Sequence, residues 1–272
     1  MERIIFIDVD GTLCDVDGTV PQSAITAIQT ARKNGHKIFI CTGRAKSEVY
    51  PSIFAIGFDG MVGSAGAYVE CGDEVVFHKS IEEEALKELI GYLEENNIAF
   101  LLETTKGVYL KKEDKEELEK IFKRSNMAKN GAAEEFVSLM HAVENIHDIK
   151  NVNKVLYFRA PLDIEIMQER LKEHFLILPN SIGGFGENSG EISDKNINKS
   201  TGIQKVLGYY GKTKESVIAL GDGANDVEML KFAEVGIAMG NAWDYLKEYA
   251  DEVTDSVKDN GIYNSFKKHG LI

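Results

Sequence analysis

The sequence has 272 residues, 43% of them hydrophobic and 28% charged, which is typical of a globular chain long enough for two domains. A formal net charge of −13 disfavours nucleic acid and anionic membrane surfaces as partners. The sequence lacks an N-terminal apolar run of signal-peptide length and any run near the roughly 18 residues that span a bilayer. Its three cysteines do not suggest a disulfide framework, so we expect a cytoplasmic protein.

The first third of the chain alternates between apolar runs, typical of buried strands, and stretches with helical spacing. The predicted order is strand 3–7, helix 21–35, strand 37–41, helix 45–56, strand 61–63 and a hairpin over 68–77. Pro51 is a weak point in the second helix. This alternation predicts a parallel α/β sheet.

The middle of the chain mixes helices and strands without that steady alternation. The predicted elements are helix 81–95, strands 99–102 and 108–110, helix 113–124, strand 154–158, helix 163–173 and strand 175–178. We interpret residues 81–185 as an inserted α+β domain and residues 1–80 with 186–272 as the core. Gly, Asn and Ser residues near 181–188 predict the second boundary.

Alternation returns in the last third of the chain. The predicted elements are helix 198–210, strand 217–220, helix 225–232 and strand 235–238. Together with the first third, they make up the α/β core.

The first candidate site is Asp8-Val9-Asp10-Gly11-Thr12, directly after the first strand. Ligand sites in open α/β sheets lie at the carboxyl ends of the strands, and alternate residues of an extended chain point the same way. Asp8 and Asp10 could therefore hold Mg²⁺, attack phosphorus or move protons. A solvated acidic turn is the simpler alternative.

The second candidate is Thr42-Gly43-Arg44, between the second strand and the predicted helix 45–56. A hydroxyl, a glycine and a helix N-terminus can bind a phosphate, although Thr42 could equally be a simple helix cap.

Two further candidates lie in the last third. Lys199 stands at a helix start, where the helix dipole disfavours a cation, so an anionic partner is indicated, although surface lysines at such positions are common. Residues 221–226, Gly-Asp-Gly-Ala-Asn-Asp, follow a strand. Asn225 or Asp226 could simply cap the next helix. A cap needs only one such polar residue, however, and this turn has three: Asp222, Asn225 and Asp226.

In their order and placement, these four motifs resemble those of the haloacid dehalogenase (HAD) superfamily of phosphohydrolases, in particular its Cof-like type IIB members. The resemblance covers essentially the whole chain, including the size and position of the insert. The chain departs from many relatives at Ser64-Ala65-Gly66-Ala67, where Ala65 replaces an asparagine.

The resemblance implies a Rossmann-like core with a C2B-type cap and a small phosphorylated metabolite as the partner. It implies Asp8 as the nucleophile that forms an aspartyl-phosphate and Asp10 as the general acid and base. Mg²⁺ would be held by the Asp8 carboxylate, the Asp10 carbonyl and Asp222, with support from Asp226. The phosphoryl oxygens would be bound by Thr42, Gly43, Lys199 and Asn225.

Sugar phosphates are the leading substrate class on this resemblance, followed by phosphorylated cofactors such as pyridoxal phosphate or FMN. A sugar phosphomutase on the same fold is the first alternative. An aspartyl-phosphate signalling receiver is the second, but receivers are shorter and lack both the insert and the second acidic turn.

Overall fold

The computed structural model describes residues 2–15, 18–124, 137–179, 185–186 and 188–272. These residues form two units. The first contains the chain up to Arg44, Val49–His78 and Asn198–Ile272. The second contains Ala45–Glu48 and Lys79–Ile197.

The described strands are β1 (Ile4–Ile7), β2 (Lys37–Cys41), β3 (Gly60–Gly63), β4 (Tyr68–Cys71), β5 (Glu74–His78), β6 (Ala99–Thr104), β7 (Gly107–Lys111), β8 (Met140–Val143), β9 (Val152–Phe158), β10 (Phe175–Pro179), β11 (Gly190–Asp194), β12 (Val217–Gly221), β13 (Val235–Ala238) and β14 (Glu252–Val253). The described α-helices are α1 (Gln22–Lys33), α2 (Pro51–Phe54), α3 (Glu83–Glu95), α4 (Lys112–Arg124), α5 (Ile164–Leu171), α6 (Lys199–Tyr210), α7 (Val227–Phe232), α8 (Asp244–Lys247) and α9 (Gly261–Lys268).

The first unit is built on an eight-stranded sheet in the order β14-β13-β12-β1-β2-β3-β4-β5. The strands from β14 to β3 are parallel, and β4 and β5 complete the sheet as an antiparallel hairpin. All four side chains of β1 are apolar and fully buried, as expected for the centre of a parallel sheet. The predicted α/β fold with a parallel sheet is confirmed.

The predicted helix over 45–56 is incorrect. A 3₁₀ turn occupies Lys46–Glu48, Tyr50 is extended, and α2 begins at Pro51. Proline has no N–H to donate and its ring crowds the preceding turn, so it suits the first position of a helix and not the interior.

The second unit is built on a sheet with six described strands in the order β10-β11-β9-β6-β7-β8; of the described pairs, β7 with β8 is parallel and the others are antiparallel. One apolar cluster includes buried residues of α3, α5 and β9, and a second includes Leu118 and Phe122 of α4. No helix in the described ranges is long and apolar enough to cross a membrane.

The structure corrects the predicted domain boundaries. The second unit begins at Lys79 and ends at Ile197, not at 185, because β11 pairs with both β9 and β10. The glycine- and asparagine-containing stretch 181–188 therefore does not end the unit; residues 181–184 and 187 lie outside the described part.

A close backbone contact positions α6, the helix that begins with Lys199. Gly66 has φ +109°, and a Cβ atom there would lie 2.0 Å from the carbonyl oxygen of Asn198. Asn198 caps α6: its side chain accepts from Thr201 N–H, and the Thr201 hydroxyl pairs with Asn198 N–H. Ala65 adopts a left-handed φ of 53°.

We expect Gly66→Ala to lower the free energy of unfolding by about 3 kcal/mol or more, since backbone strain and steric overlap add together. Gly72→Ala is the matched control, because Gly72 also has a positive φ (+58°) but no atom lies within 4 Å of its added Cβ. The control should lose only about 1 kcal/mol. Equal losses in urea denaturation would show that contact with Asn198 does not constrain the fold.

Candidate active site

Asp8 lies at the end of the central strand β1. Its N–H donates to the carbonyl of Leu220 in β12 (3.0 Å), so the ends of the two strands are held together. The Asp8 side chain is buried, with its residue only 5% exposed. The first acidic residue of the predicted site is therefore placed by the sheet itself, next to the loop that follows β12.

Lys199 connects Asp8 with the acidic loop after β12. Its Nζ lies 2.5 Å from Asp8 Oδ1 and 2.6 Å from Asp226 Oδ1, and the side chain is completely buried. Burial disfavours the charged ammonium, but Asp226 and Asp8 outweigh it and raise the pKa of Lys199 above its ordinary value. The anionic partner expected for this lysine is confirmed.

Asp226 shapes the loop as well as binding Lys199. Its second oxygen, Oδ2, accepts hydrogen bonds from the N–H groups of Asp222 and Gly223, each at 3.0 Å. Both oxygens of this fully buried carboxylate therefore have donors. Asn225 lies beside it in a 3₁₀ turn and is partly exposed.

Asp222 faces the loop that follows β1. Its Oδ1 accepts a hydrogen bond from the Thr12 hydroxyl at 2.8 Å. A Cβ atom on Gly11 would lie 2.2 Å from Asp222 Oδ2, so this glycine is needed for the close approach. Thr12 was quoted in the sequence motif without a role, and its role is to orient Asp222.

Oxygen atoms of Asp8, Asp222 and Asp226 lie within 4.8 Å of one another. Burial, and then the charge of Asp226, raise the pKa of Asp222 to about 7. Burial likewise raises the pKa of Asp8 well above its ordinary value; Lys199 opposes this increase, and the neighbouring carboxylates add to it. Three carboxylates facing one ammonium fit a hard divalent cation that prefers oxygen ligands.

The Asp10 side chain lies outside this carboxylate group. Arg44 holds it through two hydrogen bonds, from Nε to Oδ2 at 2.8 Å and from Nη2 to Oδ1 at 2.6 Å. The Arg44 guanidinium also lies over the ring of Tyr50, 5.0 Å from its centroid. Arg44 is part of the quoted motif, but sequence reasoning assigned it no function.

Thr42 and Gly43 are buried at the end of β2. The Thr42 hydroxyl accepts a hydrogen bond from Arg44 N–H at 3.1 Å, and Thr42 N–H donates to Val62 in β3 at 2.8 Å. The hydroxyl therefore stabilises a tight loop instead of capping a helix at 45. Another loop contact comes from Asn241, whose side-chain amide donates to the Gly11 carbonyl at 2.7 Å.

Comparison with known proteins gives a consistent result. Residues 5–266 match the family described as haloacid dehalogenase-like hydrolase. The 5-amino-6-(5-phospho-D-ribitylamino)uracil phosphatase YitU of Bacillus subtilis (strain 168) is 29% identical over 273 residues, covering 98% of this chain and 97% of that protein.

Two similar solved structures match this chain over nearly their full length. BT1666 from Bacteroides thetaiotaomicron, a HAD phosphatase, has a TM-score of 0.82 and 27% identity, with 100% of this chain and 96% of that one covered. The HAD subclass IIB sugar phosphatase BT4131 has a TM-score of 0.80 and 26% identity, with 99% of this chain and 100% of that one covered.

The raised pKa of Asp222 predicts a pH-dependent stability of the metal-free protein. The folded state keeps the Asp222 proton up to about pH 7, whereas the unfolded chain loses it near pH 3.9, roughly the ordinary value. Folded protein holds more protons in this interval, so its free energy of unfolding should fall as the pH rises. Asp222→Asn should remove that loss and stabilise the EDTA-treated protein by about 2–4 kcal/mol near pH 8.

Asp73→Asn is the control, since Asp73 is exposed in the turn between β4 and β5. It should leave the pH profile unchanged. If Asp222→Asn were no more stable than the unaltered protein near pH 8, the claim that the buried Asp222 carboxylate destabilises the metal-free protein would be wrong.

Proposed function

The chain belongs to the haloacid dehalogenase-like hydrolases, and we propose that this phosphatase transfers a phosphoryl group from a small phosphomonoester to Asp8 and then to water. The observation that carries the proposal is the buried Asp8–Lys199–Asp226 chain of ion pairs beside Asp222. It places a fixed carboxylate, a fixed ammonium and further oxygen ligands at one end of β1. Phosphoryl transfer needs such positioning and charge compensation.

In the proposed first step, Asp8 Oδ2 forms a bond to phosphorus while the ester P–O bond breaks. Lys199 binds Oδ1, which fixes the carboxylate and offsets negative charge near the transferring group. Asp10 gives a proton to the oxygen of the departing alcohol. Thr42, Gly43 and Asn225 are proposed to bind the phosphoryl oxygens.

In the second step, water attacks the phosphorus of the aspartyl-phosphate and gives a proton to Asp10. The bond between phosphorus and Asp8 breaks, so inorganic phosphate leaves and the carboxylate is restored. Arg44 holds both oxygens of Asp10, and we assign it as a positioning residue for this acid–base group.

We propose Mg²⁺ as the cofactor, held by Asp8, Asp222, the Asp10 carbonyl and, in support, Asp226. The donor set contains oxygen and no sulfur or imidazole, which fits Mg²⁺ better than zinc. When bound, the cation would neutralise charge on the phosphoryl oxygens.

The proposed substrates are phosphorylated sugars and polyols. One similar solved structure is a sugar phosphatase, and the B. subtilis relative acts on a phosphorylated ribityl compound. Pyridoxal phosphate and FMN rank second. A cytoplasmic location stays a prediction based on composition and the three unpaired cysteines.

Removal of divalent cations should abolish phosphate release from sugar phosphates, and Mg²⁺ should restore it. The physical reason is that carboxylates crowded around Asp8 repel the anionic ester until a cation balances them. The measurement is inorganic phosphate after EDTA treatment and dialysis, with and without added Mg²⁺. Full activity in the metal-free protein would exclude Mg²⁺ as cofactor, and isomer formation without phosphate release would identify a mutase.

Asp8→Asn should abolish both phosphate release and any trapped phosphoenzyme, because the attacking oxygen is lost. Asp10→Asn should keep the nucleophile and lose proton transfer, which is typically worth about 10²–10⁴-fold in rate. The phosphorylated intermediate should then be easier to capture in Asp10→Asn than in the unaltered enzyme. Mass spectrometry after acid quench locates the group; phosphate on Asp10, or label persisting in Asp8→Asn, would contradict these roles.

A further inference from the structure

The loop between β3 and β4 has a strained backbone. Ser64 and Ala65 both lie in the left-handed region, with φ of 48° and 53°, and Gly66 follows with φ +109°. Glycine adopts a positive φ readily, but two successive residues that carry a Cβ atom are strained there. The surrounding structure therefore has to hold the loop in this conformation.

Ser64 adds a second unfavourable feature to the loop. Its side chain is completely buried, and within the described ranges its hydroxyl has no hydrogen-bond partner. Burying a hydroxyl without a partner destabilises the folded state. Strained and unsatisfied residues of this kind cluster where function requires a particular geometry. The contacts of the loop indicate what this geometry does.

The strained residues hold the segment that follows β2. Ser64 N–H donates to the Arg44 carbonyl at 2.8 Å, and Ala65 N–H donates to the Thr42 carbonyl at 3.1 Å. Thr42 is one of the residues proposed to bind phosphoryl oxygens, and Arg44 holds the side chain of Asp10. The two left-handed residues therefore fix both ends of a three-residue segment of the proposed active site.

The same loop contacts the helix that begins with Lys199, the ammonium of the proposed active site. Gly66 lies against the Asn198 carbonyl, as described above. A Cβ atom on Gly202 of α6 would lie only 3.1 Å from the Gly66 Cα atom, so the helix packs closely on the loop. The loop therefore contacts both the segment after β2 and the start of α6.

We propose that Ser64 and Ala65 are positioning residues for phosphoryl transfer. Their left-handed backbone sets where Thr42 and Gly43 lie relative to Lys199. This inference rests on the proposed phosphatase function and adds a requirement on the backbone of a loop that supplies no reacting group. A side chain at position 65 that resists the left-handed conformation weakens binding of the phosphoryl group, whichever alcohol the ester carries.

Ala65→Val tests the proposal. Ala65 is partly exposed, so the larger side chain is not forced into the core, but a β-branched residue is strongly disfavoured at positive φ. The inhibition constant of inorganic phosphate against p-nitrophenyl phosphate hydrolysis should rise about five- to thirtyfold, because the binding geometry is populated less. The KM values for ribose phosphate and p-nitrophenyl phosphate should rise by the same factor, because both esters present the same phosphoryl group.

Two further variants are the controls. Ala65→Asn should leave these three constants within about twofold of the unaltered enzyme, because asparagine tolerates the left-handed region. Asn97, exposed in the turn between α3 and β6, has a matching φ of 54°. Asn97→Val should therefore lower the free energy of unfolding as Ala65→Val does, and leave the phosphate constant unchanged. If the two valine variants changed that constant equally, or neither changed it, the loop would be merely structural and the proposal would be overturned.

Ala65→Leu covers the case in which Ala65→Val does not fold, because leucine is not branched at Cβ and is less strained at positive φ. A phosphate constant at least about threefold above that of the unaltered enzyme would support the proposal, and an unchanged one would overturn it. If the unaltered enzyme released phosphate from neither ester, the proposed function would fail, and this inference with it. Release from both esters, with an unchanged constant in Ala65→Leu, would overturn only the inference.

Discussion

The acidic residues at the ends of β1 and β12 depend on one interaction, the pairing of the buried Lys199 ammonium with Asp8 and Asp226. Asp8 and Asp226 come from the ends of β1 and β12, and both would be buried negative charges without it. Removing one partner of such a group typically costs about 3–5 kcal/mol, because the remaining charge stays buried. The same side chain that prepares the site for phosphoryl transfer therefore also keeps the two strand ends compatible with folding.

The position of Lys199 in turn follows from backbone geometry. Asn198 caps α6 and fixes where the helix begins, and Gly66 allows the loop after β3 to pass against the Asn198 carbonyl. On the opposite side, Asp226 binds two N–H groups of its own loop, which orients Asp222. Loops after β1, β3 and β12 therefore determine the position of one another, and the site is a property of the sheet edge as a whole.

Sequence reasoning identified the parallel sheet and the acidic residues because both depend on short-range patterns. Apolar runs mark buried strands, and the four motifs follow strand ends or helix starts that a parallel sheet brings to one edge. The same reasoning missed β11, because Gly190–Asp194 has only one large apolar residue and is defined by pairing with strands distant in sequence. It also missed the role of Arg44. The arginine side chain is long, and the tertiary structure decides which carboxylate it pairs with.

The assignment of Ala45–Glu48 to the second unit has a consequence for how the protein can be divided. The second unit is not a single insertion, because a four-residue piece between β2 and α2 packs with it, and the Ser47 hydroxyl of this piece donates to the Thr104 carbonyl of β6 at 2.9 Å. If residues 79–197 alone were replaced by those of a relative, the relative's sheet would have to pack with the original residues 45–48. The unit of exchange in recombination, natural or designed, is therefore two separate stretches of chain that have to be inherited together.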